Sequence, residues 1–251
     1  MYNNPTQILD LKIESSISKA RLKIKKLFYL GLLAGAYIAI GALAAGMLQA
    51  AGLDISPSIT TIMAAVTFCI GIVSVILAGA ELFTGDNLMV IGMLAKKITL
   101  TNLLKTWFFV YVFNFIGSLA IVFLAKFTGI LTPAAQEVFI GKALAKMDLT
   151  FNQALLRGIG CNFLVCLSVW ISSSAKDAIG IMFTASFPVF VFIILGFEHC
   201  VANMFYIPLA QVLGANISIL DATIHSFIPV TIGNIIGGSI IGIMYYIALR
   251  D

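Results

Sequence analysis

The chain has 251 residues, 61% of them hydrophobic and only 10% charged, whereas a water-soluble domain runs nearer half apolar and a quarter charged. The composition excludes a soluble enzyme or binding module and points to a polytopic membrane protein. The formal surplus of +4 says little by itself, because in such a chain the placement of Lys and Arg is what informs; no nucleic-acid partner is expected.

Residues 6–27 alternate apolar positions (Ile8, Leu11, Ile13, Ile17, Ala20, Ile24, Leu27) with Lys12, Lys19, Arg21, Lys23, Lys25 and Lys26. The pattern predicts an amphipathic helix on the membrane surface. It forms an N-terminal unit, 1–27, ahead of a six-span unit, 28–251. The first apolar span begins near Phe28 with no small-residue cleavage site behind it, so no cleavable signal peptide is expected. A span needs about 20 apolar residues to cross the hydrocarbon, and six stretches qualify: about 28–50, 59–95 (interrupted), 103–125, 151–172, 185–213 (interrupted) and 223–249. The loop 126–150 is the longest connection, with a turn at Thr132-Pro133. Eleven Lys and Arg residues fall on the side of the N-terminus and four (Lys126, Lys142, Lys146, Arg157) on the other. This places both termini in the cytoplasm of a multi-pass protein of the cell's inner (plasma) membrane.

The halves, about 28–125 and 151–249, resemble each other. Gly79-Ala80-Glu81 matches Gly196-Phe197-Glu198, Asn87 and Met89 match Asn203 and Met204, and Asn114-Phe115-Ile116-Gly117 matches Asn234-Ile235-Ile236-Gly237. Three spans per half is an odd number, so the halves enter the membrane from opposite sides. The expected fold is all-α, an inverted 3+3 repeat with two broken helices, and such paired interruptions point to a transport site.

Each interruption carries ionisable groups at membrane depth, where they are costly and mark function. In the second span, Glu81-Leu82-Phe83-Thr84-Gly85-Asp86-Asn87 supplies a flexible Gly85 and a cap from Asp86 or Asn87 for the resuming helix. In the fifth, Gly196-Phe197-Glu198-His199 lies between Pro188 and Pro208. Half-helices resuming at both places would aim their amide ends at a small anion. His199, the one buried His, can donate a hydrogen bond or exchange a proton. Glu198 is expected to face away from the anion path, accepting bonds from backbone amides or Asn side chains, with Glu81 and Asn203 supporting the breaks likewise. Cys69, Cys161, Cys166 and Cys200 lie inside apolar spans, where Cys acts as a small hydrophobe; no disulfide framework, metal site or cofactor is expected. Gly31, Gly35, Gly41 and Gly46 in the first span, and Gly233, Gly237, Gly238 and Gly242 in the sixth, allow close packing within or between protomers.

Leu82-Phe83-Thr84-Gly85, Arg157-Gly158-Ile159-Gly160-Cys161-Asn162, Gly196-Phe197-Glu198-His199, Val201-Ala202-Asn203-Met204 and Gly233-Asn234 together resemble the formate/nitrite transporter family over nearly the whole chain. Overall the sequence looks most like its hydrosulfide channel branch. Phe163 after Asn162 is a departure, since relatives often carry another large apolar residue there. The resemblance implies an aquaporin-like homopentamer of six-helix protomers in the lipid bilayer, each with a pore for a small monovalent anion such as formate, nitrite or hydrosulfide. It implies His199 facing Thr84 at the pore centre with Asn162 nearby, and Lys146 at the vestibule edge. Leu82, Ile72 and Phe192 would form one apolar constriction and Phe68, Phe83 and Val165 the other. Rival readings are a proton-coupled formate or nitrite transporter and an integral-membrane enzyme built on His199, Glu198 and Cys200. A water or glycerol channel lacks support, because its Asn-Pro-Ala pair is absent from both breaks.

Overall fold

The computed structural model describes residues 2–51 and 56–250; residues 1, 52–55 and 251 lie outside the described residues. Among the described residues every regular element is helical: α1 (Pro5–Ala20), α2 (Ile24–Ala50), α3 (Pro57–Ala78), α4 (Phe83–Leu94), α5 (Leu100–Phe127), α6 (Pro133–Met147), α7 (Phe151–Ser172), α8 (Ala178–Ile194), α9 (Cys200–Val212) and α10 (Ile219–Leu249). Among the described residues, α2, α3, α5, α7 and α10 are each long and apolar enough to cross a membrane. The pair α8 and α9, too short singly, makes up the fifth span in series.

The stretch 6–27 is not one helix. A capping box between Asn4 and Gln7 opens α1, and a bend at Arg21-Leu22-Lys23 separates it from α2, to which Ile24 and Leu27 belong. The buried face of α1 is Ile8, Leu9, Ile13 and Ser16, while Leu11 is exposed. That face packs on Leu88, Val90 and Ile91 of α4 and on Ile241 of α10. The contact is close: a Cβ at Gly92 would fall 2.4 Å from that of Ser16.

Within each half, the first and third spans run side by side, α2 on α5 and α7 on α10. Small residues make this possible, since a Cβ on Gly35 would meet the Asn114 carbonyl at 1.9 Å and one on Gly237 the Ile159 carbonyl at 2.1 Å. The glycines of the first and sixth spans thus serve packing inside the protomer.

The breaks fall where α3 ends at Gly79 (φ +73°) and α8 at Gly196 (φ +66°). Left-handed backbone of this kind ends helices and costs glycine nothing. Three residues then run extended, to Leu82 and to His199, before α4 and α9 begin. Two expectations are corrected here. Gly85 is helical and supplies no unusual backbone, the left-handed turn being made six residues earlier. Pro188 and Pro208 lie inside α8 and α9 and do not form the break.

Candidate functional site

Both breaks are held by one device used twice. Asn114 of α5 accepts from Phe83 N–H (2.9 Å) and donates to the carbonyls of Glu81 (3.0 Å) and Gly31 (2.7 Å). Asn234 of α10 accepts from Cys200 N–H (2.9 Å) and donates to Glu198 (2.9 Å) and Gly158 (2.8 Å). Glu81 N–H reaches Leu30 O and Glu198 N–H reaches Arg157 O. Each Asn satisfies backbone groups that no water could reach in hydrocarbon, where an unpaired one is costly. Hence Asp86 and Asn87 do not cap α4 as expected; Leu82 holds the cap position without a side-chain bond, and the cap comes from α5. The equivalence also sets the register between the halves: Gly79, Glu81 and Phe83 answer to Gly196, Glu198 and Cys200. Asn203 therefore answers to Asp86, one residue from the Asn87 suggested by sequence alone.

Thr84 Oγ1 lies 2.9 Å from His199 Nε2, both side chains being buried. The His199 ring caps its own half-helix, because Ala202 N–H donates to Nδ1 at 3.1 Å. An accepting Nδ1 carries no proton, so in the neutral ring Nε2 carries it and donates to the Thr84 oxygen. The Thr84 hydroxyl proton is left free for an acceptor. Phe192 stacks on the His199 ring at 5.9 Å. Asn162 is also fully buried, but its amide is spent on the carbonyls of Thr84 (3.2 Å) and Asn234 (2.7 Å) and on Asn87 Oδ1 (2.7 Å). It ties α7 to both halves and offers the pair no free donor.

Two cavities approach this pair from opposite ends. One, of about 240 Å³ on the side of α1, is lined by Lys12, Lys19, Glu81, Asp86, Ile72 and Leu82. The other, of about 250 Å³ at the far mouth, is lined by Lys142, Lys146, Arg157, Glu198, His199 and Tyr206, together with Phe68 and Phe192. The apolar residues therefore group differently from expectation. Phe192 sits edge-on to Phe68 at 6.1 Å at the far mouth, while Ile72 and Leu82 stand at the other. Phe83 packs on Tyr111 and Trp107; neither it nor Val165 lines either cavity. The reason is register: Phe83 opens α4 and turns toward α5, away from the extended segment that carries Leu82.

The acidic residues of the breaks are paired. Lys146 contacts both Glu198 oxygens, at 2.9 and 2.8 Å, and Asn203 donates to the same carboxylate at 2.8 Å and to Ser226. Lys146 lines the far mouth, and its charge there is largely neutralised by Glu198. Glu198 accepts from Asn203 and from a lysine besides, but it lines the far cavity, and Glu81 the other, instead of facing away from the path, because the extended segments of the breaks turn both side chains toward the mouths. Glu81 is contacted by Lys19 at 2.5 Å, and the same ammonium bridges to Asp86. Lys19, one of the basic stripe of α1, is thus a residue of the site. Its signal was present: Lys19 and Lys146 are 127 positions apart, as are Leu30 and Arg157, and Gly31 and Gly158. The repeat thus begins with the helices α1 and α6 that lie ahead of each half. Lys12, on α1, lines the same cavity without an ion pair among the described residues; burial and Lys19 push its ammonium down to about 7. Asp86 Oδ2, Asn87 Nδ2 and Asn203 Oδ1 are buried without a partner among the described residues.

Paired half-helices that meet at a hydrogen-bonded centre, with a cavity at each end, define a multi-pass membrane transport protein. Comparison makes this specific. The model of the formate/nitrite transporter family matches residues 6–248, and the chain belongs to that family. It is 37% identical to the uncharacterized transporter YrhG of Bacillus subtilis over 98% of this chain and 94% of that one. Among solved structures it resembles a pentameric formate channel with formate bound, with a TM-score of 0.80 and 28% identity over 91% of this chain and 98% of that one. It also resembles an FNT family ion channel, with a TM-score of 0.89 and 26% identity over 97% and 99%. The fold is the aquaporin-like six-helix architecture of this family, and the chain is a transport protein rather than an enzyme.

Proposed function

We propose that the chain forms a homopentamer in the plasma membrane in which each protomer passively conducts a small monovalent anion between the two cavities, past Thr84 and His199. Both termini lie in the cytoplasm, so the far mouth faces outside. The observation that carries this reading is the Thr84–His199 hydrogen bond between the cavities, with Nδ1 occupied by the Ala202 amide. A neutral imidazole then holds a hydroxyl whose proton can be donated to an anion at a depth where a bare charge would otherwise have no solvation. Ile72 and Leu82 at one end, and Phe68 and Phe192 at the other, exclude hydrated ions. The site replaces lost water with hydrogen bonds and no fixed cation, so the anion binds weakly enough to leave.

Formate is the first substrate to test, because the solved relative is a formate channel holding formate. Nitrite has the same planar shape. Hydrosulfide, toward which the sequence leans, is smaller and passes the same constrictions. The test is flux of the three anions, side by side, in proteoliposomes without an imposed proton gradient. The expected result is non-saturating flux that His199→Phe abolishes while the oligomer stays intact. Flux that depends strictly on a proton gradient would instead favour a proton-coupled transporter, and unchanged flux of every anion in His199→Phe would remove the central site.

A further inference from the structure

We propose that the far mouth carries a capture site for planar two-oxygen monoanions, formed by Lys142 and Arg157, and that this site favours formate- and nitrite-like anions over hydrosulfide. The proposal rests on the channel reading above. Both residues line the cavity of about 250 Å³ that leads to His199. The one carboxylate there, Glu198, is fully engaged by Lys146 and Asn203, and neither Lys142 nor Arg157 has a carboxylate within salt-bridge distance among the described residues.

The repeat shows that these two cations are additions to the common scaffold. At the same 127-position spacing that relates Lys19 to Lys146, Lys142 answers to Ser15 and Arg157 to Leu30. The mouth on the α1 side sets Lys12 and Lys19 against Glu81 and Asp86, two cations against two carboxylates. The far mouth sets three cations against one. The backbone beside both cations is fixed. The Arg157 carbonyl accepts the Glu198 amide at 3.3 Å, which seats this residue at the lip of the break. The Lys142 ammonium stands 5.6 Å from the centre of the Tyr206 ring, as does that of Lys146.

The chemistry of the two side chains gives selectivity. A guanidinium presents a planar fork that meets two oxygens of one anion at once, whereas an ammonium is a point charge. Hydrosulfide has a single heavy atom and cannot take both arms of the fork. Uncompensated cations at a mouth also concentrate anions, raising entry rates by about tenfold or more, and salt screens the effect.

Initial rates of formate and hydrosulfide entry at low anion concentration, in proteoliposomes of the full chain, test this in low and high salt. Arg157→Gln and Lys142→Gln should each lower formate entry about tenfold in low salt, with the difference closing in high salt. Arg157→Lys keeps the charge and loses the fork; it should lower formate entry severalfold and leave hydrosulfide entry at the wild-type rate. Equal responses of the two anions to Arg157→Lys, or unchanged formate entry in both Gln variants, would overturn the proposal. Wild-type vesicles that pass neither anion would overturn the channel reading, and the capture site with it.

Discussion

The two mouths share a skeleton and differ in charge. On each side an Asn from the third span of the half stitches the break, a left-handed glycine ends the first half-helix, and a lysine from a surface helix grips the break glutamate. On the α1 side that lysine also bridges to Asp86, whereas on the far side the equivalent position is Asn203, a neutral donor to Glu198. The shared parts are those that satisfy buried backbone and buried charge, which any broken helix in a bilayer must do. The parts that differ face the cavities, where they can act on a passing ion. Symmetry thus separates what holds the fold from what serves transport.

The largest expected effect tests the shared part. Asn114→Ala and Asn234→Ala each strand two buried backbone groups of a break, an N–H and a carbonyl, at about 1–3 kcal/mol for each group. Both variants should therefore lose several kcal/mol and lower the thermal unfolding midpoint of the detergent-solubilised oligomer by similar amounts. A large loss in one and none in the other would break the equivalence of the two breaks.

A smaller effect comes from the lysines. Lys146→Met strands one carboxylate and Lys19→Met two, and removing one partner of a buried pair costs about 3–5 kcal/mol. Both lysines keep some exposure, 15% and 24%, so the loss should fall below that range and be greater for Lys19→Met. Adding Glu198→Gln to Lys146→Met should restore most of the stability, read in the same melting assay. A double variant no more stable than Lys146→Met would show that the lysine acts through packing rather than charge.

The smallest effect is on pH. Burial and the neighbouring Lys146 push the Lys142 ammonium down to about 8. The charge is present below that pH and lost above it. Formate stays ionised throughout, so its entry by the far mouth in low salt should fall as pH rises through about 8, approaching the roughly tenfold loss expected of Lys142→Gln. Lys142→Arg should flatten that step, because a guanidinium does not titrate there. A step of the same size in Lys142→Arg would assign it to another group.

Much of this was legible in the sequence because it is local. A glycine followed two residues later by a glutamate, inside an apolar run, marks each break, and its recurrence with the paired Asn-x-x-Gly segments gives the inverted repeat. What was hidden is long-range. The cap of α4 comes from Asn114, about 30 positions away, so the nearby Asp86 and Asn87 looked like the capping residues. Lys19 reaches Glu81 across a bend that ends α1, and a stripe of basic residues does not reveal which one turns inward. Lys146 could be placed near the mouth from its motif but not seen to be neutralised, because pairing depends on the direction of the extended segment before His199. The grouping of Phe192 with Phe68 depends likewise on which way α8 turns.

The central claim is that the Thr84 hydroxyl, oriented by a neutral His199, is the donor that replaces water around the anion. Anion flux in proteoliposomes of Thr84→Val and Thr84→Ser measures this directly, since valine keeps the shape and serine keeps the hydroxyl. Loss of one hydrogen bond to a charged group is worth about 1.5–3 kcal/mol, so Thr84→Val should conduct roughly ten- to a hundredfold more slowly and Thr84→Ser within about threefold of wild type. A Thr84→Val channel that conducts as the wild type does would contradict the account.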